Sequence, residues 1–228
     1  MSLMSKSTLL VDTDHQTNAY SETYFDALYR DSSDPWQYQT RWYEKRKRDM
    51  CLAVLPQAHY VSAIELGCGN GVFSELLAGR CQSLLSIDGN QKAVKLAKQR
   101  LLKHSNVKLI QGVIPQALSD GPTADHQTYH LIVISEILYY LPLTDIDKVI
   151  TWIKQSLAPG GTLLCCHWCY NIDGFEMTGE TVHHRLQQAF NMEKSLAFTH
   201  QSKIVDSDFL LDVWQHSAQT IAMQEQLI

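Results

Sequence analysis

Short apolar runs alternate with amphipathic segments along most of this chain. Segments at 72–77, 91–103, 144–157 and 178–190 carry apolar residues at helical spacing, and Thr144 is the expected cap of the third of them. Five apolar runs between turn residues predict buried strands: Val61–Leu66, Ser83–Ile87, Val107–Gln111, Tyr129–Ser135 and Thr162–Trp168. Strands that alternate with helices predict an α/β fold with a doubly wound, mostly parallel sheet and helices on both faces.

The two ends of the chain extend this pattern. Aromatic residues at helical spacing predict a helix over Tyr20–Tyr29, and a second helix is expected from about residue 40 to Leu55, before Pro56. Leu196–Val205 and Phe209–Trp214 predict a final pair of strands, which gives a sheet of seven.

The domain organisation follows from these elements. We expect a flexible N-terminus at 1–19, which is polar and aperiodic, and one domain over 20–228. Within that domain, residues 20–57 form a helical N-terminal lid and residues 58–228 form the α/β core.

Composition narrows the class of protein. The 228 residues are 45% hydrophobic and 19% charged, which suits a packed core. A net charge of −5 argues against nucleic acid or an anionic membrane as the main partner. No apolar run approaches the ~18 residues of a membrane-spanning helix, and the N-terminus lacks the apolar stretch of a signal peptide. We expect a cytoplasmic monomer or homodimer with a small-molecule partner.

The cysteines and histidines do not predict a metal site. Cys166 and Cys169 form one CxxC pair, whereas a structural zinc site takes four ligands, usually from two such clusters. We therefore expect reduced thiols and no metal. His183 and His184 are adjacent in a predicted helix and point in different directions, so both are expected at the surface.

A glycine-rich loop follows the first strand and opens a helix. It reads Glu65-Leu66-Gly67-Cys68-Gly69-Asn70-Gly71, and its glycines allow a sharp turn and a close approach of backbone to a ligand. The second strand ends in Asp88, where a carboxylate can accept both ribose hydroxyls of an adenosine. Loop and acid together predict a cofactor that contains a nucleoside.

Two cofactor classes compete for this loop. The GxGxxG fingerprint of nicotinamide enzymes needs its third glycine at the position of Val72, whereas Gly71 comes one residue early. The acidic start at Glu65 suits a ligand with a sulfonium and an α-amino group better than a diphosphate. The loop with Asp88 resembles that of the S-adenosylmethionine-dependent methyltransferases of the Rossmann-like class, and a dinucleotide-dependent oxidoreductase is the alternative.

That resemblance implies a seven-stranded Rossmann-like methyltransferase sheet, with S-adenosylmethionine as cofactor and S-adenosylhomocysteine as product. It places Glu65 as the support of the loop, Asp88 on the ribose and Gly89 beside the adenine. Val113 and Ile114 are expected to cover the adenine, since no acid follows the third strand. The residues that it assigns to the lining of the cofactor are Gly67, Cys68, Gly69, Gly71 and Ser135.

The flanking segments carry a narrower resemblance, over about residues 20–215. Asp34-Pro35-Trp36, then Trp42-Tyr43-Glu44 with Arg46, and Ser135–Leu141 resemble the NodS-like methyltransferases. The founding enzymes N-methylate a free amine on the sugar of a chitin-like oligosaccharide. The resemblance therefore implies a small polar acceptor with an amine, an amino sugar being one example. An O-methyltransferase, or a protein that binds S-adenosylmethionine without catalysis, is the alternative.

The acceptor is expected beyond the carboxyl ends of the fourth and fifth strands, where ligands bind in open parallel sheets. Glu136 is the first candidate for holding or deprotonating the amine, and its alternative role is to bind loop backbone or the cofactor. His167 is the second candidate for the base, and otherwise a histidine bonded in the core. Tyr140 either flanks the sulfonium by a cation–π contact or packs.

The predicted lid supplies three further candidates. Trp36 and Tyr43 are expected over the cofactor, and Arg46 is expected to pair with its carboxylate. The alternative for the basic run at 45–48 is a solvated face of an amphipathic helix.

Overall fold

The computed structural model describes residues 22–119, 128–191 and 198–228. A seven-stranded sheet has the order β3-β2-β1-β4-β5-β7-β6. Its first five strands run parallel, and β7 lies antiparallel to both β5 and β6. The strands are β1 Tyr60–Leu66, β2 Cys81–Asp88, β3 Val107–Gln111, β4 Tyr129–Ser135, β5 Leu157–Trp168, β6 Thr199–Val205 and β7 Phe209–Gln215. This architecture confirms the predicted fold class.

The helices lie on both sides of the sheet, and a short 3₁₀ turn at Leu138–Tyr140 follows β4. Within the described ranges, no helix has the length and hydropathy of a membrane span. The helices are α1 Glu22–Asp31, α2 Trp42–Ala53, α3 Val72–Ala78, α4 Gln91–Arg100, α5 Gln116–Ser119, α6 Leu143–Ser156, α7 Gly179–Asn191 and α8 Ile221–Gln224.

The junction of α6 and β5 differs from the prediction. The helix begins at Leu143 after Pro142, so Thr144 lies inside it and does not cap it. The strand begins at Leu157 and not at Thr162. The glycines extend the strand because Gly160 N–H donates to the carbonyl of His216, whose own N–H donates to Gly161.

The core has two layers because alternate strand residues face opposite sides of the sheet. Ile132 and Ile134 on β4 pack in the cluster that contains α6 and α7. Leu131 and Val133 pack in the cluster that contains Cys51 of α2 and residues of α3. All four β4 residues are fully buried. Helix α2 is therefore part of the core as well as part of the predicted lid.

Candidate active site

A cavity of about 260 Å³ lies at the carboxyl edge of the sheet, beneath α1 and α2. Two smaller recesses of about 40 Å³ and 20 Å³ adjoin it, and Gly67 lines all three spaces. The smallest recess reaches the segment 112–114 after β3, whereas the other reaches Glu65, Ser135 and Arg48. The site is thus an elongated groove across the ends of β1, β2 and β4.

Most of the residues predicted for the site line this groove. Those that do are Trp36, Tyr43, Glu65, Gly67, Cys68, Gly69, Asp88, Gly89, Val113, Ile114, Ser135, Glu136 and Tyr140. The residues that are not among its lining are Arg46, Gly71 and His167.

Gly71 contacts a helix and not the groove. Its φ of 81° lies in the left-handed region that favours glycine. A Cβ built there meets Ala97 of α4, with its Cβ at 2.9 Å and its Cα at 3.0 Å. The expectation that Gly71 lines the cofactor is therefore corrected: it allows α4 to pack closely against the loop.

Two acids lie beneath the glycine loop, of which Glu65 is buried and Asp88 is half-buried. The Glu65 Oε2 accepts hydrogen bonds from the hydroxyls of Ser74 and Ser86. Burial raises the pKa of Glu65 to about 7, against the lowering effect of these hydroxyls. The Asp88 Oδ2 accepts from Gly69 N–H at 2.8 Å, and its Oδ1 accepts from Asn90 N–H at 2.8 Å. Asp88 thus ties the loop to the end of β2.

Asp88 keeps its capacity to bind a ligand. It lines the groove beside Gly89, and each carboxylate oxygen has a second lone pair that no amide uses. Burial raises the pKa of Asp88, although the two amides lower it. The arrangement leaves both oxygens able to accept from a pair of hydroxyls.

Glu136 joins three elements at the middle of the groove. Its Oε1 lies 2.6 Å from Lys47 Nζ of α2. Its Oε2 accepts from the hydroxyl of Tyr139 at 2.5 Å and from Trp168 N–H of β5 at 2.9 Å. The residue has a φ of 59°, a conformation that is uncommon outside glycine. These contacts fix the orientation of the carboxylate.

Helix α2 turns two cations inward. Lys47 is 3% exposed and Arg48 is 8% exposed, so the interpretation of 45–48 as a solvated face is wrong for these two residues. Burial acts to lower the pKa of Lys47. The carboxylates of Glu136 and Glu44 act to raise it and outweigh burial, so this pKa lies above its ordinary range. Arg46 instead bonds to Asp206 at 2.5 Å, with a side chain that is 39% exposed.

Arg48 has donors to spare inside the recess. Its Nη2 donates to the carbonyl of Tyr38 at 2.6 Å. Among the residues that the structure describes, its Nε and Nη1 have no hydrogen-bond partner, and Nη1 lies 3.6 Å from Glu44 Oε2. A buried donor without a partner carries a free-energy cost, which an anionic ligand in the recess would remove.

Aromatic rings form the wall opposite the glycine loop. Tyr140 packs edge-to-face on Phe25 at 5.0 Å, and Trp36 stacks on Tyr38 at 5.5 Å. The buried hydroxyl of Tyr43 has no hydrogen-bond partner in the described part of the chain. This wall gives the groove an apolar side with a few polar groups, as small-molecule sites commonly have.

His167 lies in the core behind the groove and is fully buried. Its Nε2 accepts from Leu138 N–H and its Nδ1 bonds to His183, so both nitrogens are used. Burial lowers the pKa of His167 well below its ordinary value. The structure thus places it away from any acceptor in the groove. His183 is 1% exposed, which corrects its expected surface position, while His184 is exposed.

Sequence reasoning missed Lys47 and Arg48 as groove residues. Their signal was the helical spacing of positions 44, 47, 48 and 51, which share one face of α2. Within the described ranges, no group of three metal-ligating side chains is placed to hold an ion.

Comparison with known proteins links this chain to one family. The family model of Nodulation protein S (NodS) matches residues 24–189. Nodulation protein S of Rhizobium tropici is 32% identical over 135 residues, which are 58% of this chain and 54% of that protein. The protein of the same name from Sinorhizobium fredii is 30% identical over 135 residues, 58% of this chain and 60% of that protein. The matched region thus spans less than two thirds of either relative.

A solved structure shares the fold. It is the N-methyltransferase NodS from Bradyrhizobium japonicum WM9 in complex with S-adenosyl-L-homocysteine, which is 27% identical with a TM-score of 0.71. The match covers 86% of this chain and 99% of that one.

Proposed function

The chain belongs to the NodS family, and from this membership and the groove we propose that it is an S-adenosylmethionine-dependent methyltransferase of a small-molecule amine. One observation carries the proposal. The carboxylate of Asp88 lines the cavity, and Arg48, whose Nε and Nη1 have no hydrogen-bond partner within the described ranges, lines the adjoining recess, with Gly67 shared by both spaces. A nucleoside joined to an amino acid presents hydroxyls and a carboxylate at such separate ends.

The groove residues fit that cofactor. Asp88 would accept the ribose hydroxyls, and Gly89, Val113 and Ile114 would enclose the adenine in the smallest recess. Arg48 would bind the carboxylate, in place of the Arg46 that the sequence favoured. When bound, the cofactor supplies a methyl group that is already activated on a sulfonium.

Glu136 would then orient the acceptor. Three donors contact its two oxygens, and a carboxylate offers about four lone-pair sites, so one remains for the N–H of an amine. The positive charge that develops on the attacking nitrogen would lie near this carboxylate and the ring of Tyr140. Alignment of this kind is the main contribution a protein makes to an in-line displacement.

The experiment has two stages. The protein is titrated calorimetrically with S-adenosylhomocysteine and, in parallel, with NADH, and micromolar binding of the first alone is expected. Methyl-labelled S-adenosylmethionine is then supplied with amino sugars and other small amines, and mass spectrometry locates the label. Binding of NADH alone would overturn the proposal. A label on oxygen would favour an O-methyltransferase, and binding without any transfer would favour a non-catalytic protein.

A further inference from the structure

A buried chain of hydrogen bonds runs along one face of the sheet, from the turn after β4 toward the β6 edge. Leu138 N–H donates to His167 Nε2 at 3.3 Å, and His167 Nδ1 lies 3.0 Å from His183 Nε2. His183 Nδ1 lies 2.5 Å from Asp212 Oδ2, and His200 Nε2 lies 2.6 Å from Asp212 Oδ1. These hydrogen bonds thus connect β5, α7, β7 and β6 in that order.

The proton positions in this series of hydrogen bonds follow from the groups at its two ends. The amide of Leu138 can only donate, so the Nε2 of His167 carries no proton. A neutral His167 therefore has its proton on Nδ1 and donates it to His183. His183 in turn has its proton on Nδ1 and donates it to Asp212. Each ring is held as one tautomer by a main-chain amide at one end and a carboxylate at the other.

The Leu138 end of this series of hydrogen bonds lies next to groove residues. Leu138 begins the 3₁₀ turn that places Tyr139 and Tyr140 in the groove wall. Tyr139 donates to the Oε2 of Glu136 at 2.5 Å, and its ring lies 5.5 Å from the ring of His167. The position of this turn therefore sets the orientation of the Glu136 carboxylate.

We infer that His167, His183 and Asp212 are positioning residues, a buried relay that fixes the Leu138–Tyr140 turn and through Tyr139 orients Glu136. Its effect on turnover rests on the proposed function, whereas its proton arrangement does not. An additional proton on His183 Nε2 would set two N–H groups against each other across the 3.0 Å contact, and one on His167 Nε2 would face the N–H of Leu138.

Burial and the charged groups around His167 keep this ring in the neutral form. Burial acts most strongly against a positive charge on His167, followed by His183 and Lys47 of α2, whereas Asp212 of β7 favours one. Asp212 also faces His200 of β6 and the side-chain amide of Gln187 of α7. Burial outweighs the attraction of the carboxylate at His167, the ring farther from it.

The first test reads the tautomers directly and needs no activity. Nitrogen-15 NMR of the wild-type imidazoles is expected to show two neutral rings protonated at Nδ1, the rarer tautomer of free histidine. His167 is not expected to take up a proton between about pH 8 and pH 6, where an exposed histidine does. A ring of His167 protonated at Nε2, or one that titrates with a free histidine, would overturn the relay.

The second test separates positioning from a structural role. We expect His183→Leu to lower kcat about tenfold while the affinity for S-adenosylhomocysteine stays within about threefold. His183→Gln, whose amide oxygen can accept from His167, is expected to restore most of kcat. Equal losses for both variants, or a loss confined to affinity, would contradict the inference. If the wild type transfers no methyl group, the proposed function fails and the NMR result still decides the relay.

Discussion

Lys47 Nζ and Glu136 Oε1 lie 2.6 Å apart, although 89 positions separate the two residues in the chain. Their side chains are only 3% and 12% exposed. Lys47→Met leaves the carboxylates of Glu44 and Glu136 without their buried cation, so we expect it to lower the free energy of unfolding by about 3–5 kcal/mol. Combined with Glu136→Gln, the loss should fall short of the sum by about 1–3 kcal/mol in urea unfolding.

The exposed pair Lys45 and Asp49 is the matched control for that cycle, with side chains 61% and 48% exposed. Its coupling energy is expected to stay below about 0.5 kcal/mol. Additive losses at Lys47 and Glu136 would show that the buried pair does not contribute as an ion pair.

Glu136→Gln tests the orientation of the acceptor. The amide keeps the shape of the side chain but replaces one acceptor oxygen by a donor, so turnover should fall at least about tenfold. Affinity for S-adenosylhomocysteine should change by only a few fold in calorimetry. Glu75→Gln is the control, since Glu75 is 44% exposed and lies outside the groove. Unchanged turnover in Glu136→Gln would remove this residue from the mechanism.

Arg48→Gln tests which cation holds the amino-acid end of the cofactor. Loss of a charge-assisted bond of about 1.5–3 kcal/mol predicts about 10- to 100-fold weaker binding of S-adenosylhomocysteine. Arg46→Gln, whose partner Asp206 does not line the groove, should change the affinity by about threefold or less. Methylthioadenosine has no carboxylate, so Arg48→Gln should barely affect its binding. A similar loss for both ligands would contradict the assignment of Arg48.

Gly71→Ala tests the packing of the glycine loop on α4. A Cβ at this left-handed position meets Ala97 at 2.9 Å, so we expect a loss of about 2–5 kcal/mol in the free energy of unfolding. Gly79→Ala, at the C-terminal end of α3, is the control. Its φ is −73° and its nearest atom lies at 3.6 Å, so that change should be neutral or stabilise by about 0.4–1 kcal/mol. Chemical denaturation measures both, and equal effects would refute the packing role.

The sheet and the glycine loop were predictable because their signals are local. Buried strands such as Tyr129–Ser135 are mostly apolar, and a turn with three glycines has few other uses. The helical spacing shows that Lys47 and Arg48 share a face of α2, but not that this face is buried. Besides Glu44, the acid that stabilises Lys47 inside the protein is Glu136, on a loop 89 residues away. A basic run on a helix is solvated unless a distant chain segment supplies such a partner.

The histidines show the same limit. The sequence predicts His167 near the end of β5, where the acceptor is expected. In the structure its ring lies in the core, where it bonds to Leu138 and His183. Adjacent histidines on a helix do face different ways, as His183 and His184 do. His183 is the buried one of the two, and its imidazole bonds to Asp212 on β7.

The N-terminal helices dock on parts of the chain that are made after them. Asn70 donates to the carbonyl of Ser33, and Arg46 bonds to Asp206, a separation of 160 residues. On the ribosome these helices therefore emerge before their binding surfaces exist, and the contact with Asp206 forms only after 160 further residues have been made. The N-terminal wall of the groove is therefore synthesised first, but its contacts form last.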